Sequence, residues 1–227
     1  MQRFKSIVNW TPKIWLPLAI VLLNGVIEFS ERLYLFEYLD LFKLDLFKTL
    51  PNMYVISGFF AIAGALISWI LISVLLFFGC RLLYKSEGVF RNFFKIIGMC
   101  HLILLVATLT HFILIVIGLP PDLSTLEYNT TNSQESLAAI TEAFAPVELA
   151  VQLINIAGHI CFVLILVPVV QTFFQIRWVQ ALCNVCLSYA IYWALNKALW
   201  YIFPHVLLFF FPEFLGTRWQ PGDPISP

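Results

Sequence analysis

Five long apolar stretches alternate with polar segments along this 227-residue chain. A helix needs about 20 apolar residues, at a rise of about 1.5 Å each, to cross the hydrocarbon core of a membrane. The stretches approach or exceed that length, which predicts an all-α, polytopic membrane protein: a bundle of five transmembrane helices in a single membrane domain. The predicted crossings are 14–29, 53–80, 96–119, 149–175 and 179–202.

The segments outside the predicted crossings differ in character. Residues 30–50 place apolar and charged positions at helical spacing, which predicts an interfacial helix capped by Ser30. An aromatic-rich hairpin packed on the bundle is the alternative. Residues 120–146 contain no basic residue and are predicted to form an external polar loop ending in a short helix, with a break at Pro146. The apolar segment 203–215 either lies along the outer interface or folds back on the bundle.

The charges between the crossings separate by sign. Basic residues flank one set of connections, and nearly all acidic residues lie in the other. Because Lys and Arg are retained on the cytoplasmic side, this asymmetry predicts a cytoplasmic N-terminus and an external C-terminus. The basic residues near the second connection form a patch suited to anionic lipid headgroups or a partner, although topology alone explains them equally well. They are Arg81, Lys85, Arg91 and Lys95.

Composition supports the membrane assignment and narrows the function. The chain is 61% hydrophobic and 11% charged, whereas soluble domains carry about a quarter charged residues. Its net charge of zero gives no field that would attract nucleic acid, so no nucleic-acid partner is expected. The cysteines lie in or beside predicted crossings, which argues against a disulfide framework. Cys183 and Cys186 have no further Cys or His nearby to complete a zinc site, and no cofactor is expected.

Polar residues inside the predicted crossings are the candidates for function, because lipid-buried polar groups are costly. The candidates of this kind are Asn24, His101, His111, Asn155, His159, Asn184, Asn196 and Lys197, and those singled out among them are His111, Asn155, His159 and Lys197. His101 and His111 lie about 15 Å apart along a helix, so they cannot share a metal. No crossing has a central acid, and no HExxH or GxSxG motif occurs, which predicts a protein that is not an enzyme. Hydrogen bonds between neighbouring helices are the simplest role for these residues.

The second crossing carries a row of small residues at helical spacing. Such rows let membrane helices approach closely enough for van der Waals attraction to hold them together. The partner is either another helix of the bundle, which is the more common case, or a second protein. The row consists of Ser57, Ala61, Gly64, Ala65 and Ser68.

The segment from Gly64 to Pro120 combines a long apolar helix ending in a basic residue, a short connection with Gly and Phe, and a Gly-x-x-His phrase preceded by phenylalanine. It resembles the core of the Yip-domain family of Ypt/Rab-interacting membrane proteins, especially the short bacterial members. The resemblance implies five crossings with a cytoplasmic N-terminus. It also marks Phe94, Gly98 and His101 as family-motif residues.

The eukaryotic members' long cytosolic extension and Asp-Leu-Tyr-Gly-Pro signature do not occur in this sequence, which argues against a Rab-type GTPase as partner. A bacterial cytoplasmic membrane is expected rather than the Golgi or endoplasmic reticulum. The expected function is that of a non-enzymatic membrane scaffold or accessory protein, acting through helix packing with partner membrane proteins or lipids. An accessory subunit of an exporter complex and a small-solute carrier or channel are the alternatives.

Overall fold

The computed structural model describes residues 12–38, 53–118 and 133–210, and within them the side chains of 12–35, 58–118 and 147–198. The predicted all-α class is confirmed, since these residues form helices and no strand. In chain order the helices are α1 (Trp15–Tyr38), α2 (Met53–Tyr84), α3 (Phe90–Cys100), α4 (Leu102–Gly118), α5 (Ser133–Phe174) and α6 (Trp178–Phe210).

Four described stretches are long and apolar enough to cross a membrane, and they coincide with four of the predicted crossings. They are Gly58–Tyr84, Phe90–Gly118, Val147–Phe174 and Trp178–Ala198. Helix α1 is not among them, because its second half carries Glu28, Glu31 and Arg32. The coarse assignment to the membrane is therefore confirmed, whereas a fifth crossing stays a prediction.

Helix α1 nevertheless packs lengthwise against α2 and α4. Near its start, a Cβ atom on Gly98 would lie 2.6 Å from Cβ of Pro17. Near its other end, the ring of Tyr34 meets that of Phe112 edge-on, with centroids 6.2 Å apart. Pro17 and Tyr34 are separated by about 26 Å of helix. Helix α1 is thus an integral member of the bundle over most of its length.

The first helix does not end at Phe29, where the first predicted crossing stops. It continues to Tyr38. Ser30 does not cap a new helix, because its Oγ donates a hydrogen bond of 2.9 Å to the carbonyl oxygen of Val26 one turn earlier. The predicted start of a separate interfacial helix at Ser30 is therefore wrong, and residues 39–50 of that prediction lie outside the described residues.

Helix α5 runs without a break through Pro146, where the sequence predicted one. A proline removes a single backbone donor, and the turns on either side keep their own hydrogen bonds. The end of the predicted polar loop is thus the first part of α5, and residues 119–132 lie outside the described residues. Helix α6 likewise continues to Phe210, so the described part of 203–215 is helical.

The third crossing begins earlier than predicted, at Phe90, and a turn at His101 divides it into α3 and α4. An aromatic cluster surrounds its first turns, with ring centroids between 4.9 and 6.0 Å apart. The cluster consists of Phe77, Phe90, Phe93, Phe173 and Phe174. A Cβ atom on Gly88 would lie 2.8 Å from the ring of Phe173. The α2–α3 and α5–α6 connections, which carry basic residues, therefore meet at one end of the bundle.

Candidate functional site: polar contacts between the helices

A contact between a carboxyl group and an imidazole joins α1 to α4. Nδ1 of His111 lies 3.4 Å from Oε2 of Glu31, and each side chain is only 13% exposed. His111 belongs to the span Phe90–Gly118, and the continuation of α1 beyond Phe29 brings Glu31 against that span. A carboxylate and an imidazole in this position either carry opposite charges or share one proton. Ionisable residues packed in this way are by default functional candidates.

Helix α1 contributes two further charges beside this pair. Nη2 of Arg32 lies 3.7 Å from Oε1 of Glu28, one turn earlier on the same helix. Glu28, Glu31 and Arg32 therefore lie within about one turn of one another on α1.

A row of polar residues follows one side of α6 at intervals of four positions. This α6 polar row consists of Gln180, Asn184, Ser188, Tyr192 and Asn196. Each interval advances the helix by about 6 Å and turns it about 40° beyond one full turn, so the row winds by about 160° around the helix over about 24 Å. Asn184 and Ser188 are buried, and Tyr192 bonds to α2. The middle of the row is thus enclosed by protein rather than exposed to lipid.

Asn184 is fully buried at the contact between α6 and α2. Its Nδ2 donates to the carbonyl oxygen of Leu76 and to Sγ of Cys80, both at 3.0 Å. Its Oδ1 approaches Gly79, where no side chain intervenes. That Oδ1 and the Oγ of Ser73 are buried without a hydrogen-bond partner among the described atoms. Leaving such an atom without a hydrogen bond costs about 1–3 kcal/mol, so a polar group that bonds to either atom would stabilise the fold.

Two tyrosines of α6 tie that helix to different neighbours. The Oη of Tyr192 lies 2.9 Å from Oγ of Ser68 on α2. The Oη of Tyr189 lies 2.5 Å from Nδ1 of His159 on α5. His159 is exposed on the surface of the bundle, whereas Tyr192 is half-buried. The candidate His159 therefore has a hydrogen-bond partner, as the sequence-based interpretation favoured.

The family-motif residues make packing contacts, with Gly98 and His101 buried and Phe94 half-buried. The ring of Phe94 stacks on that of Trp69 with centroids 4.0 Å apart, and Trp69 Nε1 donates to the Phe94 carbonyl oxygen at 2.9 Å. A Cβ atom on Gly98 would lie 2.8 Å from the same indole. His101 is buried, and its Nδ1 lies 2.9 Å from the carbonyl oxygen of Ile97. These contacts explain the three residues through helix packing.

The residues of the predicted basic patch differ in exposure. Arg81, Lys85 and Arg91 are exposed, whereas Lys95 is only 8% exposed. Lys85 has a φ of 51°, which turns the chain at the end of α2. The surface that can meet lipid headgroups therefore contains three of the four predicted residues.

The residues of the small-residue row of α2 also differ in their surroundings. Ala61 and Ala65 are buried within the bundle, and Ser68 bonds to α6. Gly64 faces outward, and nothing lies within 4 Å of the Cβ atom that it lacks. The side chain of Ser57 lies outside the described residues. Much of the row therefore packs against helices of the same chain.

The remaining candidates lie apart from the Glu31–His111 pair. Asn155 is half-buried on α5, and Lys197 is exposed, with Nζ 5.7 Å from the ring centroid of Trp193. Within the described ranges, no group of three or more His, Cys, Asp or Glu side chains is placed to hold a metal ion.

Sequence reasoning identified His111 but missed its partner. Glu31 is 80 positions away, and its charge was attributed to an external connection. The α6 polar row was visible in the sequence as a polar residue at every fourth position. That spacing places the residues along one side of a helix, and it was the available signal for this part of the site.

Comparison with known proteins does not assign this site. No protein-family model, curated protein or solved structure matches the chain. The resemblance to the Yip-domain family consequently stays a prediction, and the candidate site rests on its own geometry.

Proposed function

We propose that this protein is a non-enzymatic, multi-pass membrane scaffold or accessory protein of the Yip-domain type, acting on lipids and partner membrane proteins in a bacterial cytoplasmic membrane. The observation that carries the proposal is the exposure of Arg81, Lys85 and Arg91 at the end of the bundle where two connections meet. Basic residues near an anionic membrane surface contribute about 1 kcal/mol each. Three of them together give this end a preference for anionic headgroups.

The proposal includes α1 as a fifth crossing, with the N-terminus in the cytoplasm and the C-terminus outside. Its support is the packing of α1 along α2 and α4. The acids of its second half are also partnered, Glu31 with His111 and Glu28 with Arg32. Pairing lowers the cost of holding these charges beside lipid.

Removing the three exposed charges tests the lipid preference. In the variant carrying Arg81→Gln, Lys85→Gln and Arg91→Gln, anionic phosphatidylglycerol is expected to raise the thermal unfolding midpoint of the purified protein by several degrees less than in the wild type. The reason is the loss of about 1 kcal/mol of headgroup attraction per residue. Zwitterionic phosphatidylcholine should stabilise both proteins equally.

Lys197→Gln is the control, because Lys197 is exposed about 29 Å along α6 from the end of the bundle that carries the three residues. It should reduce the phosphatidylglycerol effect by less than a third of the reduction in the triple variant. An unchanged response of the triple variant would mean that these residues serve topology alone, and the lipid-contact proposal would be abandoned.

A small-solute carrier is the second candidate function, and the Glu31–His111 contact is the observation that favours it. Ionisable side chains between membrane helices commonly mark ion and solute pathways. Proteoliposomes incubated with a pool of small polar metabolites and analysed by mass spectrometry should then retain a metabolite that empty liposomes do not. Glu31→Gln should abolish its uptake, while Glu87→Gln, at an exposed acid of the α2–α3 connection, should not.

A further inference from the structure

We propose that Lys95 and the first turn of α1 form a binding site for the phosphate group of an anionic phospholipid. The inference rests on the proposed lipid function and names one defined site within it, separate from the exposed residues Arg81, Lys85 and Arg91. Lys95 is the member of the predicted basic patch that the fold encloses, with 8% of its surface exposed. Its basis is a buried positive charge that no acid of the chain neutralises.

Lys95 has no partner for its charge. Its side chain is more than nine-tenths buried, and among the described residues it makes neither an ion pair nor a hydrogen bond. Lysine is rarely buried unless it is paired, because its ammonium group loses hydration there. Arg32, by comparison, lies 3.7 Å from Glu28 although it is 29% exposed. A buried ammonium group of this kind indicates a ligand that supplies negative charge.

The chain offers no acid at this position. In the described part of the chain, Glu87 is the acid at this end of the bundle, and it is exposed in the α2–α3 connection. Residues 1–27 contain no Asp or Glu, and Glu28 lies about 20 Å along α1 from Trp15. An anion from outside the chain is therefore needed to neutralise Lys95.

Helix α1 begins beside this lysine. A Cβ atom on Gly98 would lie 2.6 Å from Cβ of Pro17, and further along the same two spans Tyr34 meets Phe112. The paired positions differ by 81 and by 78, so α1 runs alongside the third span in the same direction. Lys95 precedes Gly98 by about 4.5 Å and lies within about 60° of it around α3. It therefore lies level with the first turn of α1, on the side of α3 that meets this helix.

The first turn of α1 favours a negative charge. Leu16 and Leu18 donate hydrogen bonds to the carbonyl oxygens of Lys13 and Ile14 and so begin the helix. The first amide groups of a helix have no acceptor within it, and the helix dipole adds a partial positive charge, so phosphate groups bind at such ends. Helical side chains tilt towards the N-terminus of their own helix, which directs Lys95 towards this turn.

The depth of Lys95 favours a lipid as the source of the phosphate. Lys95 is about 7.5 Å from the first residue of the span Phe90–Gly118. A lysine at this depth extends its four-carbon stem through apolar surroundings and places its ammonium group at the headgroup layer. Ile14 and Leu18 expose apolar side chains at the start of α1, where the acyl chains of a bound lipid would lie.

Two lysine variants at the same end of the bundle test the site. Delipidated protein in an uncharged detergent is titrated with phosphatidylglycerol, and native mass spectrometry measures the bound lipid. Wild-type protein should retain one molecule, and Lys95→Met should lower its affinity by about 10- to 100-fold through loss of a charged hydrogen bond. Lys85→Met, at an exposed lysine, should lower it by less than about fivefold. Equal affinities in the two variants, or no lipid retained by the wild type, would overturn the proposal.

Headgroup chemistry supplies a second readout. Wild-type protein should retain phosphatidylglycerol in preference to diacylglycerol hemisuccinate, whose single charge lies on a carboxylate with fewer oxygens to meet both the ammonium and the amide groups. Inorganic phosphate should not displace the bound lipid. Displacement would show a site for free phosphate, and equal retention of the two lipids would show recognition of charge alone. Either result would contradict the proposal.

The stability of the lipid-free protein gives a third comparison. Because Lys95→Met removes a buried charge without a partner, its unfolding midpoint in uncharged detergent should equal or exceed that of the wild type. A lower midpoint would show that the chain itself partners the ammonium group, contrary to the proposal. If Lys95→Met is not monodisperse, Lys95→Gln carries the same expectation for lipid affinity.

Failure of the site and failure of the proposed lipid function are distinguishable. A reduced phosphatidylglycerol response in the Arg81, Lys85 and Arg91 triple variant, together with unchanged lipid affinity in Lys95→Met, would refute the site and leave the proposed function intact. The reverse pattern would support the site and remove the exposed patch. If neither variant differs from the wild type, both fail.

Discussion

Replacing Trp69 with alanine is expected to destabilise the protein by about 3 kcal/mol, the lower end of the range for removing a buried tryptophan. The indole is 3% exposed, stacks on Phe94 and donates its N–H to the Phe94 carbonyl oxygen. The lower end applies because lipid is itself apolar, so the cost comes from the cavity, the lost van der Waals contacts and the lost indole hydrogen bond rather than from exposure to water.

Unfolding of the purified protein in detergent, followed by circular dichroism, measures this effect. Trp178→Ala is the matched control, because Trp178 is 55% exposed at the start of α6 and its loss should leave the unfolding midpoint near that of the wild type. Trp69→Phe should cost about 1 kcal/mol, since it keeps a ring and loses the hydrogen bond. Equal destabilisation by Trp69→Ala and Trp178→Ala would show that the α2–α3 contact does not stabilise the bundle as described.

The features that could be predicted from sequence are those fixed by length and polarity. Length and apolar character can be read without knowing the neighbouring helices, so four helices long and apolar enough to cross a membrane could be predicted from the sequence. Residues that can begin or end a helix were less informative. Ser30 can cap a helix or bond back to Val26, and Pro146 can end a helix or be accommodated within one. The choice depends on packing around each residue, which the local sequence does not contain.

The candidate site also has one part that the sequence could predict and one part that it could not. The α6 polar row is a periodic pattern on one helix and was accessible from spacing alone. The Glu31–His111 contact depends on how α1 and α4 are placed side by side, and no local pattern encodes that placement. The negative charge of Glu31 is informative about topology. Its partner, however, is determined by its position on the continuous helix α1. Long-range pairs of this kind require the fold.

Two glycines of the α1–α2 region are expected to respond to alanine with opposite signs. A Cβ atom on Gly25 would lie 2.7 Å from Cα of Ile62 and 3.3 Å from the carbonyl oxygen of Ala61. These are backbone atoms, so no side-chain rotation relieves the contact and α1 must move away from α2. Overpacking of this kind typically costs about 1–3 kcal/mol, and Gly25→Ala should be destabilising by that amount.

Gly64→Ala is the counterpart, at an outward-facing position on α2. Nothing lies within 4 Å of the position that its Cβ would take, and the residue is helical. Alanine there is expected to stabilise the protein by up to about 1 kcal/mol, because it restricts the unfolded chain and favours the helix. The thermal unfolding midpoints of both variants in the same detergent, compared with that of the wild type, measure the two effects. Destabilisation by Gly64→Ala would reveal a partner on that face, whereas tolerance of Gly25→Ala would contradict the close approach of α1 to α2 and, with it, the placement of Glu31 beside His111.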